Sequence, residues 1–190
     1  MRVGLGLAFA LAGCYGGVAL GPDRGTPDGG DADSGTGIQA FAGFQIDAPA
    51  DGRVGIGAGA GQTNIHEDPE GHTIKTTWFM VELRYTQRIP VELPVAPVCA
   101  LGGLAGDSSD GDVLGARALV GAETRSVPVT FGAGLMPQVV RYAYGGHDNP
   151  DDTSSVRSLH VALWVARSPR ADRERHARAA QPGSPDRSAR

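Results

Sequence analysis

Three short segments gather the side-chain types that bind cations. His66-Glu67-Asp68-Pro69-Glu70-Gly71-His72 sets two histidines and three carboxylates around a Pro-Gly turn, donors that suit zinc or another divalent ion. Asp107, Asp110 and Asp112 form a second acidic turn, and Asp148, Asp151 and Asp152, after His147, a third. None has the ligand spacing of a zinc site or an EF-hand loop, so solvated turns are expected and no metal site is assigned. If the three segments converge, the six aspartates are where a divalent cation would bind. Nucleophilic chemistry has less to stand on. The chain contains no G-x-S-x-G elbow, P-loop, C-x-x-C or H-E-x-x-H. Cys99, in Val98-Cys99-Ala100-Leu101, reads as a small apolar packing residue. No catalytic residue and no cofactor is assigned, and no enzymatic activity is expected.

The elements that must position these segments are strands. Between Ile38 and Ala166 the dominant period is two. From Arg53 to Gly61, Gly55, Gly57, Gly59 and Gly61 share one face while Val54, Ile56, Ala58 and Ala60 share the other. A glycine row leaves room for bulky neighbours or a close backbone. Phe79, Val81, Leu83 and Tyr85 oppose Met80, Glu82 and Arg84, and Leu159, Val161, Leu163 and Val165 oppose His160, Ala162, Trp164 and Ala166. Strands are predicted at about 38–47, 53–62, 73–86, 91–104, 112–123, 126–144 and 157–167. A break near Leu135-Met136-Pro137 would make the seven into eight.

Connections alternate between short and long, which would bring the three acidic segments to one end. This pattern resembles small outer-membrane β-barrels, with short turns at one end, longer loops at the other and two-faced strands. The resemblance implies an all-β, antiparallel up-and-down meander closing into a small barrel of seven or eight strands. Glu82 and Arg84 share one strand face, as do Arg117 and Glu123 at greater distance, and inside such a barrel these would pair as structural ions across the lumen. Trp78, Tyr85, Tyr142, Tyr144 and Trp164 would suit either an interfacial girdle or an interior core.

The N-terminus reads as an address. Met1-Arg2 supplies one positive charge, Val3 to Leu11 is largely apolar and too short to span a bilayer, and Leu11-Ala12-Gly13-Cys14 closes it. These four residues resemble the lipobox of bacterial lipoproteins, which implies a signal peptide over 1–13, a lipid on Cys14 and attachment to a membrane. Tyr15 after the cysteine implies, by the same resemblance, the outer membrane. Residues 15–37 are rich in Gly, Asp, Pro, Thr and Ser, so 14–37 is expected to be a lipid anchor and flexible tether, with the barrel over 38–167.

Residues 167–190 hold seven arginines against Asp172, Glu174 and Asp186, so the formal charge of −4 leaves the rest of the chain near −8. An acidic body speaks against nucleic acid as a partner. The 168–190 tail lacks apolar periodicity and is expected to be disordered, with a frameshifted closing strand as one source of its composition. The sequence therefore predicts a lipid-anchored barrel of the cell envelope. The alternative is a soluble, lipocalin-like barrel lined with apolar residues around a small hydrophobic ligand. The face that carries the large apolar residues separates the two.

Overall fold

The computed structural model describes residues 13–26, 33–49, 52–66, 73–87, 94–108, 111–124, 129–144 and 153–167. Eight strands follow one another: β1 (Gly13–Thr26), β2 (Asp33–Asp47), β3 (Gly52–His66), β4 (Thr73–Gln87), β5 (Val95–Ser108), β6 (Gly111–Thr124), β7 (Val129–Tyr144) and β8 (Thr153–Arg167). Each pairs antiparallel with the next, and β8 pairs with β1 to close a barrel. Closure removes the two open edges that a meander of this length would otherwise leave unpaired.

The register sets the shape. Following paired residues once around the barrel runs Tyr15, Gly43, Gly57, Glu82, Gly102, Arg117, Gln138, Ser158 and back to β1 at Asp23, a displacement of eight residues. Eight strands with that stagger tilt by about 36°, and such a barrel is just wide enough for its own side chains to fill.

The glycine-rich faces point into the lumen, where they make the space that large side chains occupy. A Cβ on Gly61 would run into the Trp78 ring, one on Gly59 into Met80, and one on Gly57 into the Tyr15 hydroxyl. At the start of β6, opposite Ser108, Gly111 adopts φ 136°, a conformation that L side chains rarely take.

Three expectations are corrected. Residues 14–26 and 33–37 are not a tether, and Gly13, read as the end of the signal peptide, opens β1: β1 is the eighth strand, and β2 begins at Asp33. Their low apolar content suits a barrel strand, because every second residue faces a lumen that accepts glycine and aspartate, while β2 and β8 satisfy the β1 backbone. Nor does β7 break at Pro137. It runs unbroken, and the proline faces outward and interrupts only the ladder to β6, between the pairs Arg117↔Gln138 and Val120↔Leu135. The β5–β6 connection is not a long loop either, since the strands pair through Asp107↔Asp112 to Ser108↔Gly111. The signal-peptide reading of residues 1–12 and the 168–190 tail lie outside the described residues. No strand from that tail is needed for closure, because β8 itself meets β1.

Candidate functional site

Alternation gives the barrel two surfaces of opposite character. Inside, buried polar and charged groups interleave with Trp78, Met80, Leu119, Met136 and Trp164. The charged groups, with Tyr15, Gln39 and His160, join into one network along the lumen. Asp23 Oδ1 meets His160 Nε2 at 2.9 Å, and His160 Nδ1 meets the Gln39 amide at 2.7 Å. Arg117 donates to Gln39 Oε1 at 2.7 Å and to the Met136 sulfur at 3.2 Å, and it is ion-paired to Glu82. The Tyr15 hydroxyl donates to the other Glu82 oxygen at 2.9 Å.

Towards the opposite end, Arg84 lies between the Tyr15 and Trp164 rings, 4.6 Å from each centroid. It donates to Glu123 at 3.3 Å; Arg53 pairs with the same carboxylate, and Trp164 Nε1 donates to it at 3.2 Å. Among the described residues the lumen thus balances Asp23, Glu82 and Glu123 against Arg53, Arg84 and Arg117. In a low-dielectric interior each charge needs its partner, and the three ion pairs supply one for each of the arginines. Both ring nitrogens of His160 are engaged, so neither is free to activate a nucleophile in this arrangement.

Outside, the pattern inverts. Along β8, Leu159, Val161, Leu163 and Val165 are exposed between outward Arg157 and Arg167. Leu20 and Val18 on β1, Ile38 and Phe44 on β2, Phe79, Val81 and Leu83 on β4, and Phe131 and Leu135 on β7 continue the belt. From Arg157 to Arg167 is ten residues; at about 3.3 Å per residue and a tilt of about 36°, the belt stands about 27 Å tall. A membrane barrel presents a band of about 25 Å.

The sequence-predicted residues are only partly brought together. Asp107 and Asp112 are cross-strand partners on the outer face at one end, exposed to solvent rather than converging on a cavity. Asp110, Asp148, Asp151 and Asp152 lie outside the described residues, as does most of the His66–His72 segment. The strand order does place the connections 27–32, 67–72, 109–110 and 145–152 at one end. Among the described residues no group of three or more His, Cys, Asp or Glu could hold a metal.

Cys14 is the second residue of β1 and faces outward; Cys99 is likewise exposed on the outer face, not buried. Trp78 and Trp164 belong to the interior rather than an interfacial girdle, while Tyr85 faces outward. Sequence reasoning missed Asp23, Gln39 and His160. The alternation of β8 set His160 beside Trp164 on one face, but a partner on β1 could be found only once β1 was recognised as a strand.

No protein-family model matches the chain, and no curated protein matches it. Among solved structures it is similar to Neisserial surface protein A, at 15% identity over 81% of this chain and 96% of that one, with a TM-score of 0.48. It is also similar to the outer membrane enzyme PagL, at 17% identity over 76% and 97% with a TM-score of 0.46. A further likeness is to the N-terminal β-barrel domain of Pseudomonas aeruginosa OprF, at 11% identity over 80% and 96% with a TM-score of 0.41. These are likenesses of general shape, at identities that say nothing of activity.

Proposed function

We propose that the protein is an integral β-barrel of a bacterial outer membrane, without enzymatic activity, whose plugged lumen makes it a rigid support for the connections at its ends rather than a pore. The observation that carries this reading is the outer belt. Large apolar side chains stand exposed on every strand, Leu101 at 70% and Phe79 at 68% among them, while the charges at the level of this belt are turned inward. In water a continuous patch of this size would drive aggregation; in hydrocarbon it is the required surface, and the closed ladder pairs the backbone there except at the interruption by Pro137. A lipocalin-like carrier would have the opposite polarity, with large apolar residues lining a cavity. Here the lumen is filled by ion pairs and aromatic rings.

Cys14 fits the same placement. Its side chain lies on the outer face near one end of β1, so an attached diacylglyceryl group would run beside the apolar belt. The lipid would then supplement the barrel's own hold on the bilayer.

The test is refolding of the full chain into phosphatidylcholine vesicles. Heat-modifiable gel mobility and protection of the strands from added protease are expected. A chain that stays soluble, unprotected and monomeric without lipid would overturn the reading.

A further inference from the structure

Above the apolar belt, three outward arginines stand together at the end that carries connections 27–32 and 145–152. Arg24 on β1 and Arg157 on β8 are direct cross-strand partners. Arg157 opposes Val139 on β7 while Arg141 opposes Ser155, so Arg141 is the diagonal neighbour of Arg157. All three are exposed, and among the described residues none makes an ion pair. Among the described residues the outward carboxylate nearest in register, Asp112, is diagonal to Arg141 alone.

Like charges placed directly opposite on a sheet repel, and side chains there stand only about 5 Å apart at Cβ. Among the described residues, a surface that keeps two guanidinium groups opposed, with a third in reach, lacks a counter-anion. Immediately towards the belt on the same three strands lie Pro22, Leu159 and Val139, all exposed. The patch is therefore cationic above and apolar below, within one lane of the barrel wall.

We propose that this lane binds a lipid carrying a phosphate monoester: the phosphate lies between Arg24, Arg141 and Arg157, and the acyl chains lie over Leu159 and Val139. A near-dianionic phosphate has enough acceptor oxygens to take several forked guanidinium bonds, whereas a phosphodiester offers a single charge. The apolar lane selects a lipid over free phosphate. This rests on the membrane placement proposed above, and the two can fail separately.

The experiment is native mass spectrometry of the refolded full chain, titrated in detergent with phosphatidic acid, phosphatidylglycerol, phosphatidylcholine or inorganic phosphate. Folding is checked beforehand by heat-modifiable mobility. Phosphatidic acid is expected to bind tightest. The double variant R24Q/R157Q, still folded, is expected to bind it roughly tenfold or more weakly, the loss that goes with one charge-assisted hydrogen bond. Lys75→Gln, on the outer face of β4 away from the patch, should bind as the parent does. Equal binding of phosphatidylglycerol, an unchanged affinity in R24Q/R157Q, or inorganic phosphate binding as well as the lipid would each overturn the proposal while leaving the membrane barrel intact. Should R24Q/R157Q not fold, Arg141→Gln provides the same comparison. A parent chain that never inserts into vesicles would instead sink the membrane placement.

Discussion

Glu123 is the residue whose charge the lumen can least spare. Its carboxylate accepts from Arg53, Arg84 and Trp164, and the side chains of this acid and both arginines are at most 3% exposed. Glu123→Gln keeps the shape and removes the charge, leaving two buried guanidinium groups without a counter-ion. Breaking a buried pair by removing one partner costs about 3–5 kcal/mol, and burial this complete leaves little solvent screening to reduce it. Part of the Arg84 charge stays stabilised by the Tyr15 and Trp164 rings, worth about 0.5–2 kcal/mol. The expected net loss is therefore about 1–4.5 kcal/mol.

The assay is urea unfolding in phosphatidylcholine vesicles, followed by tryptophan emission; Trp164 also reports locally, because its N–H loses an ionised acceptor. The double variant Glu123→Gln with Arg53→Met removes one orphaned charge and should regain about half of the loss, since matched removal of both partners is close to neutral. A single-variant loss below about 1 kcal/mol, or a double variant no better than the single, would show that the ion pairs do not hold the lumen together.

Leu163→Arg, in the middle of the outer belt, should cost about 2–4 kcal/mol in bilayers and far less in a water-soluble state; equal tolerance in both settings would speak against a lipid-facing surface. Gly61→Val places its side chain in the Trp78 ring and should destabilise by about 1–3 kcal/mol through overpacking, read by the same urea titration, with Ala60→Val on the outer face as the neutral control. Cys14→Ser should abolish incorporation of labelled fatty acid yet leave the chain in the membrane fraction, because the barrel surface supplies its own attachment; recovery in the soluble fraction would mean that the lipid alone holds it there.

The alternation of apolar with small or polar residues from Ile38 onward was enough to specify two-faced strands, and the resemblance of that pattern to small outer-membrane barrels implied the antiparallel meander and its closure. It also set Glu82 and Arg84 on one face and predicted ion pairs inside. Period two is a local property: it divides a strand into two faces without saying which one meets lipid, or which strand lies opposite. Only the closed structure decided which partners meet across the lumen, Glu82 with Arg117 and Arg84 with Glu123.

Strand β1 shows the limit most clearly. Val18 and Leu20 are its only large outward aliphatics, and glycine, proline and aspartate elsewhere in Gly13–Thr26 mimic a linker when the segment is read alone. Those residues become a strand because β2 and β8 take up their backbone hydrogen bonds from both sides, and β8 lies more than a hundred residues away. The same closure carries Asp23 to His160 and Arg24 to Arg157. Partners that distant leave no trace in local composition, since what selects them is the ring of backbone hydrogen bonds that only a complete barrel can close.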